Sequence, residues 1–123
     1  MEKYKNFIGK LGEEKARKYL IQNGYKILES NYFCRFGEID IIAMDENCLV
    51  FVEVKTRTNN RYGNPENAVN YWKRKHMELT ARNYIDHKRM GNFIARFDVV
   101  EVFMKNADNN FIVEKFNLIK NVL

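Results

Sequence analysis

Residues 37–57 read GEIDIIAMDENCLVFVEVKTR, and this stretch decides the fold. It contains two apolar runs rich in Ile, Val and Phe, a composition typical of β-strands. The polar tripeptide DEN at residues 45–47 lies between them and predicts a tight turn. The first run contains Asp40, and the second ends in Glu53 and Lys55. Because a charge within a strand is costly unless it is paired or bound to a metal, the hairpin is a candidate active site.

The length of the turn decides which residues of the two strands face each other. With Glu46 and Asn47 as the central residues, Asp40 faces Glu53 and Glu38 faces Lys55. A loop one residue shorter or longer would shift this register and separate the two carboxylates. The opposite face of the hairpin is then wholly apolar and is expected to form the core; it comprises Ile39, Ile41, Ala43, Val50, Val52 and Val54.

The two facing carboxylates suggest a bound cation. Directly opposed side chains on one face of a hairpin have Cβ atoms about 5 Å apart. Two carboxylates about 4 Å apart repel each other by about 4 kcal/mol at an effective dielectric constant of about 20, and Lys55 offsets only part of this repulsion. Carboxylate oxygens suit Mg²⁺ or Mn²⁺. The alternative is a buried Asp–Lys–Glu ion network without catalysis, because structural networks also gather charges.

The composition describes a globular protein with a basic character. A chain of 123 residues suffices for one domain with a substantial core, and 46% hydrophobic with 30% charged residues excludes a disordered chain. The net charge of +5 favours an acidic partner such as nucleic acid.

The longest apolar run, residues 48–52, is too short to span a membrane. Cys34 and Cys48 are isolated, which argues against a disulfide framework or zinc site and favours a reducing cytoplasm.

The first expected helix covers residues 1–23 and ends at Asn23-Gly24, a common helix stop. Glu13 falls at the border of its apolar stripe, so its carboxylate either faces inward or extends to water. Gly9 and Gly12 leave space for this helix to approach another surface closely. Glu13 is therefore a third candidate carboxylate for the site.

The second expected helix carries the densest group of basic residues. It covers about residues 64–87, beginning with an Asn-Pro-Glu cap. Trp72 is among the residues expected to make apolar contacts, whereas Lys73, Arg74 and Lys75 are placed on the polar face. These basic residues form either an ordinary solvated face or a surface that contacts phosphate groups.

A polar loop, residues 56–63, connects the hairpin to this helix and includes Arg57 and Arg61. A loop beside candidate catalytic residues is well placed to contact a substrate. Further strands are expected at residues 25–35, 93–104 and 111–119, which gives the order α-β-β-β-α-β-β and an α/β fold with a mixed sheet flanked by helices. Asp98 and Glu101 lie on opposite faces of an ideal strand, so neither is assigned to the site.

Residues 37–43 and 49–57 resemble the signature of the YraN-like family of small bacterial proteins. The family is assigned to the PD-(D/E)XK nuclease-like superfamily, and its layout is similar to that of archaeal Holliday junction resolvases. The resemblance therefore implies a restriction-endonuclease-like fold. The similarity covers nearly the whole chain and extends to Gly12-Glu13, Ala16, Leu20, Gly24-Tyr25, Asn31, residues 62–65, Lys75, Ala81 and residues 97–100.

The superfamily pattern implies roles for individual residues. Asp40 matches the first acidic metal ligand, Glu53 the second, and Lys55 the motif lysine. Glu13 matches the helix glutamate of the resolvase-like branch. Ile39 stands where the superfamily name has proline, at a position that varies widely. The acidic and basic set is intact, so nothing in it indicates a loss of activity.

By this resemblance the chain is expected to be a metal-dependent nuclease that hydrolyses phosphodiester bonds in DNA, with branched or damaged DNA as candidate substrates. Asp40, Glu53, Glu13 and the carbonyl of Val54 would hold Mg²⁺ or Mn²⁺, and Lys55 would orient a water or stabilise developing charge. A homodimer is suggested by analogy with resolvases. A nucleic-acid-binding module without cleavage and a structural domain are the alternatives. The residues expected to hold the phosphate backbone are Arg57, Arg61, Lys73, Arg74 and Lys75.

Overall fold

The computed structural model describes residues 2–58, 71–108 and 110–122, with side chains from residue 7 onward. The expected order α-β-β-β-α-β-β is confirmed. The expected start of the second helix, at residues 64–66, lies outside the described residues. The elements are α1 (Glu2–Gln22), β1 (Lys26–Cys34), β2 (Gly37–Asp45), β3 (Cys48–Arg57), α2 (Tyr71–Lys88), β4 (Ile94–Ala107) and β5 (Asn110–Ile119).

The five strands form one mixed sheet in the order β1-β2-β3-β4-β5. The β3–β4 pair is parallel, and the other neighbouring pairs are antiparallel. Parallel neighbours need a long crossover connection, and α2 lies within it. Consequently α2 returns across the sheet and packs mainly on β2, while α1 packs mainly on β3.

The central hairpin has the expected turn, but its two strands separate before they reach the charged residues. Asp45 pairs with Cys48, and the antiparallel register continues as far as Ile41 and Val52. Beyond this pair β2 remains paired with β1, and β3 with β4. The expected direct pairs Asp40–Glu53 and Glu38–Lys55 are therefore not part of the described β2–β3 register.

A side chain bridges the point of separation. The backbone N–H of Val54 donates a hydrogen bond of 2.8 Å to Oδ2 of Asp40, so a β3 amide is satisfied by a carboxylate of β2. This contact accounts for the end of the backbone ladder, since the Val54 amide is directed to a side chain. The separation of β2 from β3 beyond Ile41 and Val52 is called the strand split below.

Both faces of the sheet are buried, which differs from the expected division into one core face and one catalytic face. The layer beneath α1 contains Ala16, Leu20, Ile41, Ala43, Val50, Val52, Val100 and Val102. The layer beneath α2 contains Ile39, Ile42, Leu49, Phe51, Ala81 and Tyr84. Ile39 was expected to share a face with Ile41 and instead packs in the α2 layer, because β2 departs from regular alternation where it leaves β3.

The close approach of α1 to β3 depends on one glycine. A Cβ atom at Gly12 would collide with the hydroxyl of Thr56, whereas a Cβ atom at Gly9 would meet nothing within 4 Å. The expectation of close packing is therefore confirmed at Gly12 alone. Because Glu13 follows directly, this contact keeps the backbone of Glu13 close to β3.

Candidate active site at the strand split

Asp40 is the central carboxylate of the site. Its pKa is raised to about 7, first by burial and then by the charges of Glu53, Glu13 and Glu38, whereas the hydrogen bond from Val54 lowers it. Three acidic side chains thus lie near enough to disfavour the ionised form of Asp40. The site concentrates negative charge around a partly buried carboxylate, which is an environment that favours a cation.

Glu13 of α1 lies near enough to Asp40 for its charge to raise the pKa of that carboxyl. It is half-buried, and burial raises its pKa; Arg17 and a side-chain hydrogen bond from Asn31 oppose the shift, and Glu38 and Glu53 add to it. Asn31 lies in β1 with a φ of 54°. Asparagine tolerates this left-handed conformation better than most residues, so it can kink β1 beside Asp40 and bond Glu13.

Asn31 had no role assigned from the sequence. The sequence did contain a signal for its left-handed conformation, since an Asn within an otherwise strand-like run often marks a residue with positive φ. Its contact with a residue of α1 could not be read from the chain, because the two positions are close only after folding.

Two lysines reach the same oxygen of Glu53. Lys73 Nζ lies 2.7 Å from Glu53 Oε1, and Lys55 Nζ lies 3.4 Å from it. The Glu53 side chain is only 12% exposed, so these ion pairs are shielded from water. The expected proximity of Glu53 and Lys55 is therefore observed, with Lys73 as an additional member of the site.

The position of Lys73 corrects an expectation. It was placed on the outer polar face of the second helix, but its ammonium points to Glu53 on the sheet. The spacing explains why: Lys73 precedes Met77, Ala81 and Tyr84 by four, eight and eleven residues, and these three residues are buried. Lys73 therefore belongs to the inward stripe of α2.

The two lysines respond differently to this shared environment. Burial, followed by the contact with Lys73, lowers the pKa of Lys55, and Glu53 only partly offsets the shift. Burial also disfavours the charged form of Lys73, but its hydrogen bonds to Glu53 and Lys55 outweigh this and raise its pKa. Lys73 is thus the more firmly protonated counter-charge of Glu53, and Lys55 is the more readily deprotonated group.

Arg57 follows Glu53 and Lys55 at alternate positions of β3. It contacts the carboxylate of Glu101, a residue that was given no role in the site from the sequence. Its Nε lies 3.3 Å from Oε2 of Glu101, which is buried, and Asn117 donates a hydrogen bond of 2.9 Å to the other oxygen of Glu101. Glu101 is the register partner of Lys55 on the parallel strand β4. The β3–β4 pairing was not predictable from local pattern, so the position of Glu101 was missed.

The other basic residues expected at phosphate groups are divided between two parts of the chain. Arg74 and Lys75 are exposed on α2, and Arg74 pairs with Glu78 one turn later at 3.7 Å. Arg61 lies outside the described residues. Trp72, expected to pack, is 70% exposed beside Tyr71, which is 68% exposed.

A metal ion would have to be held mainly by Asp40 and Glu53. Among the described residues, no group of three His, Cys, Asp or Glu side chains converges closely enough to form a ready metal site. The donor chemistry nevertheless fits a hard cation, because carboxylate oxygens would supply the ligands, and burial together with the neighbouring carboxylates raises the pKa of Asp40. In this conformation the Glu53 oxygen is bound by lysines.

A second charged cluster, at the opposite end of the hairpin, shows how a structural ion network differs. Asp98 is fully buried and accepts hydrogen bonds from Arg96, the hydroxyl of Tyr25 and the amide of Asn121. Arg96 also bonds Asp45 at 2.8 Å and lowers the pKa of that carboxyl. There one arginine bonds both carboxylates directly, whereas Asp40 accepts its hydrogen bond from a backbone amide and has a raised pKa.

A family model described as "Uncharacterised protein family UPF0102" matches residues 12–102. This chain belongs to the UPF0102 family. The matched region includes Glu13, Asp40, Glu53, Lys55 and Lys73, so every described residue of the site lies within it. The resemblance to the YraN-like family is confirmed.

Similar UPF0102 proteins occur in several bacteria. The chain is 44% identical over 113 residues to a UPF0102 protein of Clostridium tetani, covering 92% of this chain and 93% of the relative. It is 45% identical over 114 residues to one from Caldicellulosiruptor bescii, with 92% and 93% covered. A UPF0102 protein of Syntrophus aciditrophicus is 52% identical over 97 residues, with 79% and 76% covered.

Neither helix in the described part of this UPF0102 chain combines the length and the apolar character needed to cross a membrane.

Proposed function

We propose that this UPF0102 protein is a metal-dependent nuclease that hydrolyses phosphodiester bonds in DNA. The observation that carries the proposal is the environment of Asp40: a partly buried carboxylate that accepts a hydrogen bond from the Val54 amide, and whose pKa is raised to about 7 by burial and by three acidic side chains. Carboxylates gathered at one partly buried position repel one another, and a cation bound between them relieves that repulsion. Divalent Mg²⁺ or Mn²⁺ supplies that charge.

Asp40 and Glu53 would hold the ion, with Glu13 and the carbonyl of Val54 as further donors. When bound, such an ion polarises a phosphodiester oxygen and lowers the pKa of a coordinated water. Glu53 must exchange its contact with Lys73 for the ion, because Lys73 Nζ now lies 2.7 Å from its Oε1. Released in this way, the ammonium of Lys73 can donate to a phosphate oxygen of the substrate.

Lys55 is the group placed to assist the reaction. It lies 3.4 Å from Glu53 on the same strand, and burial together with Lys73 lowers its pKa. A partly desolvated ammonium donates a strong hydrogen bond to a negatively charged phosphate oxygen as charge develops. Arg74 and Lys75, exposed on α2, would bind the DNA backbone without reading its sequence.

A binding module without cleavage is the second candidate. The contact of two lysines with Glu53 Oε1 favours it, because these ammonium groups already neutralise one expected ligand. Such a protein would hold phosphate groups through its lysines and need no metal. The two functions differ in whether a divalent ion binds and whether the strand is cut.

A cleavage assay separates these functions. The purified protein is incubated with single-stranded, duplex, branched and damaged DNA, and with RNA, in Mg²⁺, Mn²⁺ or EDTA. We expect cleavage of DNA that requires the ion and is lost in Asp40→Ala, Glu53→Ala and Lys55→Ala. Glu14→Ala is the matched control, because Glu14 is an exposed carboxylate of α1 paired with Lys18.

Cleavage that survives all three substitutions would assign the activity to another site. Salt-dependent binding without any cutting would favour the binding module.

A further inference from the structure

We infer that Tyr71 and Trp72 form a stacking site for an unpaired nucleobase beside the candidate active site. This inference rests on the proposed function, because the stacking site is placed relative to the proposed nuclease site. It assigns the substrate class, which is nucleic acid with unpaired bases at the position of cleavage. Single strands, gaps, flaps and loops share this chemistry.

The two aromatic side chains are exposed together. Tyr71 is 68% and Trp72 is 70% exposed, and their ring centroids lie 5.3 Å apart at an interplanar angle of 80°. This edge-to-face arrangement fixes the two rings against each other and still leaves most of their surface in water. Neighbouring large aromatic residues that remain in water form an apolar surface suited to a planar partner.

Their position on α2 links this surface to the site. Tyr71 and Trp72 directly precede Lys73, whose ammonium contacts Glu53 at 2.7 Å. In a helix, consecutive residues rise by about 1.5 Å, so the backbone of all three residues lies within one turn. Helical spacing places Arg74 and Lys75, three residues after Tyr71 and Trp72, on the exposed side of α2 with the rings, while the Lys73 ammonium points to the sheet.

The surrounding charge favours a nucleotide over a protein partner. Lys73, Arg74 and Lys75 follow the aromatic pair, so a stacked base would have cations near its own phosphate groups. Nucleic-acid-binding proteins combine these two features, basic groups that follow the backbone and aromatic rings that stack on bases. Bases inside a duplex already stack on their neighbours, so an unpaired base is the form that can reach the rings.

Trp72 is the single tryptophan of the chain, so its fluorescence reports on the stacking site directly. The protein is titrated in EDTA, where no metal-dependent cutting occurs, with an oligothymidine strand, a duplex of the same length and an abasic strand with the same number of phosphates. We expect the oligothymidine strand to quench the emission strongly. The abasic strand and the duplex should bind with little quenching, because they offer phosphates but no accessible base.

Variants test the same site through affinity. Trp72→Ala and Tyr71→Ala should each weaken binding of a labelled oligothymidine strand by about tenfold in fluorescence anisotropy, since stacking contributes strongly for each base. Trp72→Phe should retain most of the affinity, because it keeps a π-face. The matched control is Phe33→Ala, which removes a side chain that is 77% exposed on β1 and should leave affinity unchanged. Circular dichroism confirms that each variant is folded.

Equal quenching by the abasic strand, or wild-type affinity in both alanine variants, would overturn the inference. So would a dimer that dissociates on Trp72→Ala, since a second copy of the chain would then cover the rings. The outcome of the quenching experiment can be distinguished from the outcome of the cleavage assay. Quenching without metal-dependent cleavage supports the stacking site and rejects the nuclease. Cleavage without quenching rejects the stacking site and leaves the nuclease standing.

Discussion

Lys73 of α2 and Glu53 of β3 form an ion pair with a separation of 2.7 Å, and it joins the helix to the sheet at the strand split. The pair is shielded, since the two side chains are 33% and 12% exposed. Lys73 therefore places a positive charge beside Glu53, the carboxylate that a metal ion would need as a ligand. Metal ion and lysine compete for the same oxygen, and this competition determines how the site responds to substitution.

Replacing Lys73 by Gln should strengthen Mn²⁺ binding several-fold, because Glu53 then has one competing cation fewer. The same change should lower the stability of the metal-free protein by about 1–3 kcal/mol, since it leaves a shielded carboxylate with less compensation. Isothermal titration calorimetry and thermal unfolding measure the two effects. Lys75→Gln, on the exposed part of the same helix, should change neither. Weaker Mn²⁺ binding in Lys73→Gln would show that Lys73 supports the ion rather than competing with it.

Asp40→Asn should stabilise the metal-free protein at about pH 8 by about 1–3 kcal/mol. The reason is the pKa of Asp40, which is about 7 in the folded protein against an ordinary value of 3.8. Between these values the folded state retains a proton that the unfolded chain releases, so stability falls as the pH rises from about 4 to 7. Asparagine removes this penalty, and its side-chain oxygen can still accept the Val54 hydrogen bond.

The pH dependence provides the control for this prediction. Below about pH 4 the Asp40→Asn protein and the wild type should have similar free energies of unfolding, because Asp40 is then protonated in both states. Glu14→Gln should show no such gain at about pH 8, since Glu14 is an exposed helix residue. A stability difference between wild type and Asp40→Asn that stays constant with pH would contradict the assigned environment of Asp40.

Gly12→Ala should destabilise the protein by about 1–3 kcal/mol. The added methyl group would collide with the Thr56 hydroxyl and push α1 away from β3. Because Glu13 moves with the helix, the substitution should also weaken Mn²⁺ binding. Gly9→Ala is the matched control: its methyl group meets nothing within 4 Å, so improved helix propensity should stabilise it by about 0.5–1 kcal/mol. Equal effects of the two substitutions in thermal unfolding would refute the close approach at Gly12.

Arg96→Met should lower the free energy of unfolding by about 3–5 kcal/mol, because it leaves the fully buried Asp98 without its main cation. Urea denaturation measures this change. Mn²⁺ binding by the folded fraction should remain at the wild-type level, because the network of Arg96 lies at the other end of the hairpin. Loss of metal binding in a folded Arg96→Met protein would argue against this separation.

Much of the fold was predictable because its signals are local. The DEN turn and its apolar flanks define the hairpin, and Asn23-Gly24 ends α1 with backbone hydrogen bonds from Gly24 to Ile21 and from Tyr25 to Leu20. The place of Glu13 at the border of the apolar stripe was also predictable from helical geometry, whereas its orientation inward or to water was not. These features depend on residues close together in the chain.

The separation of β2 from β3 was not predictable, because it depends on a hydrogen bond from Val54 to Asp40 that replaces a backbone contact. Strand alternation alone places Ile39 with Ile41, and the split breaks that alternation. Lys73 shows the complementary difficulty. Its position on the helix was predictable from the sequence. Lysine side chains are mostly exposed, however, so Lys73 is assigned to the surface unless its distant partner Glu53 is known.

Calorimetric titration of Mn²⁺ at about pH 8 tests the central claim, that Asp40 and Glu53 form a metal centre in the strand split. We predict saturable binding to the wild-type protein that is lost in both Asp40→Asn and Glu53→Gln and retained in Glu14→Gln. Absence of binding to the wild type, or binding to either site variant that is as tight as binding to the wild type, would contradict the claim.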